Sequence, residues 1–450
     1  MHHAVHRGQA DASLEGKCFG FEVCECRLAA ELFLHCSFLE WAYITKADRM
    51  KPSSPAHDRA VCAGWLAAEH CDVADLDRLV QTTTQVQDCP QASGILSNVP
   101  VYHCATLRAA QAASADPHTW RKHLMAEWAQ VWRSGPGVLV VQGLVPDLAV
   151  VDATTREFQT LIEESRAAGY GGDHFAKPGA NDRVWNALEK LCLRAPDVFA
   201  AYYGNALLAT VCEAWLGPAY QVTSQLNSVN PGGAAQTAHR DYHLGFFSAA
   251  GAGRFPAHVH QLSPYLTLQG AVAHVDMPLE SGPTLYLPYS QKYETGYLVA
   301  GVPAFQAYFD QHHVQLPLKK GDGIFFNPAL LHAAGHNRSA DIRRMANLLQ
   351  VSSAFGRCME TVDRVRMAQA LYPSLLQAHT SGHMPAADLD AAIAACAEGY
   401  AFPTNLDRDP PIGGLAPQSQ QDLVRAALAQ GHTSAQFNAT LLAQAQTRLS

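Results

Sequence analysis

Apolar residues recur at every fourth position from Trp120 through Leu124 and Trp128 to Trp132, one stripe of a helix that opens behind Asp116-Pro117. Aspartate before a proline at the first helical position is a strong start signal, and the aromatic stripe reads as core rather than as a binding surface. Ser134-Gly135-Pro136-Gly137 stops this helix, and Val138-Leu139-Val140-Val141 is an unbroken apolar run of buried-strand length. Helical spacing returns from Leu148 to about Ala168 and over Pro196–Leu216, where Gly217-Pro218 ends it. Upstream, residues 56–115 alternate short helical patterns (Arg59–His70, Asp75–Thr83) with coil and carry no functional signal.

From Tyr220 the period shortens to that of strands. Gln221–Val229 alternates, Tyr265–Val275 is a long strand, and Thr284–Leu287, Ile324-Phe325-Phe326, Leu330–Ala334 and Arg344–Ser353 follow. Pro231-Gly232-Gly233, Glu280-Ser281-Gly282-Pro283 and Lys319-Lys320-Gly321-Asp322-Gly323 punctuate them as turns. Short strands at this spacing predict a sandwich or jelly roll rather than alternating βα units. After Phe355 the pattern is helical again. Thr361–Tyr372, stopped by Pro373, is followed by Asp388–Glu398, a Pro/Gly linker over Pro403–Pro417, and the amphipathic stretches Ser419–Ala429 and Thr433–Ser450. Packing outside the sheet, with a possible homo-oligomer contact, is the role expected of these last helices.

Composition narrows the function. At 450 residues the chain has ample material for a core, and 48% hydrophobic with 16% charged residues is ordinary for a globular protein. A net charge of -8 supplies no basic surface for nucleic acid or an anionic membrane, so a small-molecule partner is expected. Eight of the 12 cysteines precede residue 105, and none forms a CxxC pair. Scattered reduced thiols suggest a cytoplasmic protein. No run of 18 uncharged apolar residues is present, and Leu28–Ile44 contains Glu31 and Glu40 without a basic leader or a cleavage site. Residues 1–49 are His- and Cys-rich without steady periodicity, and Met50-Lys51-Pro52-Ser53-Ser54-Pro55 reads like the polar start of a domain. A chain beginning at Met50 is therefore expected to stay soluble and active.

The candidate chemistry lies just past Pro231-Gly232-Gly233, at His239-Arg240-Asp241. On an extended segment residues i and i+2 face the same way, so this imidazole and carboxylate can converge on one ion. With a distant histidine they would make the 2-His-1-carboxylate set of non-heme Fe(II) sites. Among 22 histidines about one such triplet arises by chance, and His70-Cys71-Asp72 and His274-Val275-Asp276 compete. The first ends a helical pattern, where this spacing does not align the two side chains. In the second, Asp276 stands before a turn and reads as a turn former.

Downstream, Phe325-Phe326-Asn327-Pro328-Ala329-Leu330-Leu331-His332 leads through Gly335, Asn337 and Ser339 to Arg343. Together with His239-Arg240-Asp241, this stretch resembles the phytanoyl-CoA dioxygenase (PhyH) family of Fe(II)/2-oxoglutarate oxygenases. Family members carry a distal His followed eleven residues later by an Arg that grips the co-substrate. Gly137–Leu144 and Gly282-Pro283 to Ser290 resemble further family segments. Tyr289 and Gln291 depart from the usual Gly and His, and Ala334 stands where a hydroxyl is frequent.

The resemblance covers roughly 125–355. It implies a double-stranded β-helix (jelly-roll) core with flanking helices, and four regions: 1–49 an extension, 50–118 an N-terminal helical region, 119–355 the oxygenase domain and 356–450 a C-terminal helical region. It implies a dioxygenase that hydroxylates a small organic substrate while converting 2-oxoglutarate to succinate and CO2, with Fe(II) and O2. His239, Asp241 and His332 would be catalytic and bind the metal, and Arg343 would bind 2-oxoglutarate.

Gln225 and Asn227, on one face of the strand before the motif, are candidates to contact the co-substrate or line the pocket. Tyr242, His243, Phe246 and Phe247 could form a substrate wall, or could simply pack the barrel mouth. His336 shares the strand parity of His332 but lies only seven residues before Arg343. Arg344 is expected to point away from Arg343 as an outer or surface group. Two other readings remain open: a non-catalytic jelly-roll binding protein, and a cupin-like metal isomerase that would have no need of Arg343.

Overall fold

The computed structural model describes residues 64–169, 172 and 179–450, so the expectations for residues 1–49 lie outside the described residues. Among the described residues eleven strands form two sheets. They are β1 Gly94–Leu96, β2 Val99–His103, β3 Val138–Gln142, β4 Asn181–Val184, β5 Gln221–Val229, β6 Thr267–Ala273, β7 Leu285–Tyr286, β8 Val314–Gln315, β9 Gly323–Phe326, β10 His332–Ala333 and β11 Arg344–Ser352. The large sheet runs β1-β2-β3-β9-β6-β11-β5-β4 and the small one β10-β7-β8. Every pairing is antiparallel except β2 with β3. The architecture is thus a mixed β core with flanking helices.

Strand alternation sorts the large sheet into two buried faces. On β11, Met345, Leu349 and Val351 turn toward the helices, while Arg344, Ala346, Leu348 and Gln350 line a cavity on the other side. On β5 the helix face carries Val222 and Leu226, and the cavity face Gln225, Asn227 and Val229. The small sheet closes over the cavity face. Tyr286 of β7 meets Phe326 of β9 edge to face, with ring centroids 5.1 Å apart.

The helix layer follows its local signals. Asp116 accepts from the His118 and Thr119 amides and opens the helix Pro117–Arg133, whose Leu124, Trp128 and Trp132 are buried. The Trp132 indole also donates to the Phe325 carbonyl at 3.2 Å, tying this helix to β9. Trp132→Ala should cost about 3–5 kcal/mol, the usual range for emptying a large aromatic site.

Three expectations need correction. The helix anticipated over Pro196–Leu216 is two, Pro196–Tyr203 and Ala206–Leu216, because the Asn205 side chain accepts from the Leu207 and Leu208 amides and starts a new helix. Pro373 does not stop its helix, which runs from Arg364 to Ser381. Leu371, Tyr372, Leu375 and Ala378 are all buried along it, and that packing outweighs the hydrogen bond a proline removes. The region before residue 119 is not only helical, since β1 and β2 extend the large sheet beside β3. The described residues from 64 onward pack as one unit. No described helix is long and apolar enough to cross a membrane, and the seven described cysteines are free thiols.

Candidate metal centre

His239 and His332 face each other across a two-residue backbone bridge. The His239 amide donates to the His332 carbonyl at 2.9 Å and the reverse bond is 3.1 Å. This pairing brings a segment just before β6 against β10, and the rings stand 4.6 Å apart. Asp241, two residues on, turns to the same side, so ligand atoms of His239, Asp241 and His332 all lie within 4.8 Å of one another. His239 Nε2 is 3.6 Å from Asp241 Oδ1, and His332 Nε2 is 3.5 Å from Asp241 Oδ2.

Each imidazole is oriented from behind. Nδ1 of His239 lies 2.8 Å from the Thr237 carbonyl and Nδ1 of His332 lies 2.9 Å from that of Leu330. A carbonyl oxygen only accepts, so each Nδ1 carries the proton and each Nε2 keeps its lone pair toward Asp241. Burial, and then the neighbouring His332, lowers the His239 pKa below the ordinary imidazole value, which favours the neutral form a metal needs. Burial pushes the Asp241 carboxyl up, but the two imidazoles and Gln269 outweigh it and hold the group below the usual carboxylate range. Neutral imidazoles and an ionised carboxylate are the donor set of a 2-His-1-carboxylate iron site. The residues fit the metal.

Arg240, between two of these residues, turns the other way and is 2% exposed. Its Nη2 donates to the Ser290 and Tyr293 carbonyls at 2.6 and 2.8 Å, and its guanidinium lies 5.2 Å from the Tyr297 ring centroid. Burial lowers its pKa to about 10. The middle residue of the motif therefore fastens the segment to the 290–297 loop. At Gly296 an added Cβ would fall 1.9 Å from Arg240 Cζ, so a side chain there displaces the guanidinium from its carbonyl partners.

The triad opens onto a cavity of about 530 Å³. Gln225, Asn227 and Phe246 line it, while Tyr242 is buried and outside the cavity wall. Phe247 is half exposed and outside the cavity wall.

Arg343 does not reach the site. It sits in the turn before β11, 57% exposed, donating to Asn230 Oδ1 at 3.1 Å with Asp182 3.9 Å away. The next residue, Arg344, takes the inward position because it is the first residue of β11, in step with Ala346 and Leu348. The eleven-residue offset misplaced the guanidinium by one residue, and the expectation that Arg344 is an outer group is reversed. Arg344 is 7% exposed and donates only weakly, to the Ser281 and Gly335 carbonyls at 3.4 and 3.3 Å. Among the described residues it has no carboxylate partner within ion-pair distance, and burial lowers its pKa to about 10.

The competing triplets fall away. His70 and Asp72 are exposed, and Asp72 caps the helix Val73–Val80. His274 is buried on the helix face, and Asp276 accepts from the Lys320 amide in a turn. His336 is exposed. The unusual loop residues also find roles. Tyr289 adopts a left-handed conformation at φ 69° and its hydroxyl pairs with Thr84 at 2.9 Å. The Gln291 amide donates to the Gly135 carbonyl at 2.8 Å.

A family model described as phytanoyl-CoA dioxygenase (PhyH) matches residues 134–345. That stretch matches a PhyH domain. The domain holds the whole triad and Arg344. The chain is also similar to solved enzymes of nogalamycin biosynthesis. The non-heme alpha ketoglutarate dependent epimerase SnoN is 20% identical, with 52% of this chain and 84% of that one covered at a TM-score of 0.36. SnoN in complex with Fe3+, alpha ketoglutarate and nogalamycin RO matches at 20% identity, 52% and 85% coverage and TM-score 0.37. The non-heme alpha ketoglutarate dependent carbocyclase SnoK matches at 18% identity, 52% and 86% coverage and TM-score 0.37. No curated protein matches the chain.

Sequence reasoning missed Arg183 on β4, Trp185 just past it, Gln269 on β6 and Met359, all of which line the cavity. Gln269 was accessible by parity, since it shares a face with Ala271 and Ala273 on a strand anticipated from the outset. β4 itself is four residues long and gave no pattern to read.

Proposed function

We propose that the protein is an Fe(II)- and 2-oxoglutarate-dependent dioxygenase that hydroxylates a small organic substrate. His239, Asp241 and His332 hold the iron in this reading, and the two sheets are the halves of a jelly roll that carries them. The observation that supports it most is the pairing, in one cavity, of that triad with Arg344, a buried guanidinium with no carboxylate partner among the described residues. A buried cation is costly unless paired, and a guanidinium fork suits the two oxygens of a carboxylate. Arg344 would bind the far carboxylate of 2-oxoglutarate, in the role expected from the sequence of Arg343.

When bound, iron with 2-oxoglutarate and O2 supplies the oxidising chemistry; the protein's contribution is placement. The small sheet and Phe246 screen the triad, the Nδ1 bonds fix the imidazoles, and Gln225, Asn227 and Gln350 give the cavity a polar wall for orienting a substrate. Free thiols and an Fe(II) requirement together fit a cytoplasmic setting.

The test is succinate release from 2-oxoglutarate with iron and ascorbate over a panel of small organic compounds, with product masses recorded. Hydroxylation adds one oxygen to the product. A product of unchanged mass, or one lighter by two hydrogens, would redirect the reading to another oxidative outcome at the same site. Absence of both succinate and iron-dependent 2-oxoglutarate binding would end it.

A further inference from the structure

Gln269 stands on the cavity face of β6 and is 3% exposed. Its Nε2 donates to Asp241 Oδ2 at 2.6 Å, a short charge-assisted bond. Its own carbonyl oxygen is buried and accepts no hydrogen bond from the described residues. The amide cannot turn over to satisfy that oxygen, because the carbonyl would then face the carboxylate. Gln350 and Gln291 also leave a buried amide oxygen unmet, so that oxygen does not set Gln269 apart; the engagement of its donor end by Asp241 does. This one serves Asp241 alone.

We propose that Gln269 is a positioning residue for the metal centre, pinning one oxygen of Asp241 so that the carboxylate meets an ion through the other. This rests on the metal-site reading above and adds to it how the carboxylate is presented. With both oxygens loose, Asp241 could rotate or chelate through both and occupy a position needed by exchangeable ligands. With one oxygen engaged by an amide donor, rotation about the side chain is restrained and a single donor remains. Gln350 lies directly opposite Gln269 in the β6–β11 register and shares the cavity wall, but makes no bond to Asp241. It is an internal control for changing a glutamine in the same place.

The experiment titrates Co(II) into the purified full chain. It compares wild type with Gln269→Leu, Gln269→Glu and Gln350→Leu, reading affinity, the visible ligand-field bands and the apoprotein Tm. Losing an outer partner of a metal ligand lowers affinity by about 10- to 100-fold. Gln269→Leu should show a loss of that size with altered bands, at a Tm close to wild type. Gln269→Glu, which keeps the shape but sets an acceptor against Asp241, should lose more. Gln350→Leu should keep the wild-type bands.

Wild-type affinity and bands in Gln269→Leu would overturn the proposal, as would the same change in Gln350→Leu, or a lowered Tm with unaltered bands. Bands that depend on Gln269 in a protein that never releases succinate would leave this inference standing while the oxygenase reading fails. No Co(II) uptake by wild type would overturn both.

Discussion

Two polar clusters lie on opposite sides of the large sheet, one under the helices and one in the cavity that the small sheet closes. On the helix face His274 is bonded at both nitrogens, to Thr155 Oγ1 at 2.8 Å and Tyr202 Oη at 3.0 Å. Asn347 joins Tyr203, which reaches Ser224 at 3.1 Å. On the cavity face each histidine is bonded at one nitrogen and directs the other at a carboxylate, and Arg344 has no counter-ion among the described residues. Burial alone does not mark function, because His274 on one side and His332 and Arg344 on the other are all buried. What separates them is closure. The helix-face histidine uses its hydrogen-bonding capacity within the protein, whereas the cavity residues hold capacity in reserve for something bound.

Substitution should show this difference most strongly at the ligands. His332→Ala is expected to lower Fe(II) affinity by more than the roughly 100-fold upper range for an outer partner, with activity lost, while the apoprotein melts near wild type. His274→Gln should do the reverse, leaving Fe(II) binding intact in a less stable protein. Equal effects of the two changes on metal affinity would erase the distinction between the faces.

Next comes the guanidinium. Removing one partner of a buried charge pair costs about 2–5 kcal/mol, so Arg344→Ala should raise the 2-oxoglutarate KM by at least about 30-fold while Fe(II) affinity holds. Arg343→Ala, which removes an exposed and salt-screened pairing, should change that KM less than about 3-fold. Interchanged results would return the role to Arg343.

Acid separates the clusters by a smaller margin. Burial, and then Lys320, lowers the His274 pKa to about 3, against 6.5 for an ordinary imidazole. The unfolded chain then binds a proton at His274 through the window from about pH 6.5 down to about 3, and the folded chain does not. Stability from this group is whole above that window and falls by up to about 1.4 kcal/mol per unit of acidification within it. Denaturant midpoints at pH 7 and pH 5 should show the loss, and His274→Gln should flatten it. His239, also lowered, stays neutral at pH 7, so Fe(II) affinity should be level near neutrality and decline only as the pH falls below the ordinary imidazole range. A metal affinity that keeps climbing above pH 7 would contradict this.

A single hydrogen bond is tested by Tyr202→Phe, which removes one partner of His274. It should cost about 1–3 kcal/mol of stability and leave metal and 2-oxoglutarate binding unchanged.

Much of this contrast was legible in the chain. Period-two alternation in Gln221–Val229 and Arg344–Ser353 already separates the two faces, and the i, i+2 rule puts His239 and Asp241 together. The distal His332 came from the resemblance to the PhyH family's motif. Arg344 escaped because a residue offset counts along the chain and cannot tell where a turn ends and a strand begins. Gln269 escaped because its partner, Asp241, lies 28 residues away and is met only when the sheets close. β1, β2 and β4 are three to five residues long and are held by neighbours far along the chain, so local pattern had little to report. Pro373 misled for a similar reason, since the packing that overrides it comes from elsewhere in the fold.

The fastening of Arg240 to the 290–297 loop has a consequence for how this protein fails. A random-mutagenesis screen for inactive clones would be expected to recover Gly296, a residue in neither the metal set nor the cavity wall. Any side chain there collides with the Arg240 guanidinium and strains the segment that carries His239 and Asp241. Such clones would mimic ligand loss while every ligand is intact, so the vulnerable surface of the metal centre extends to the far side of its own backbone.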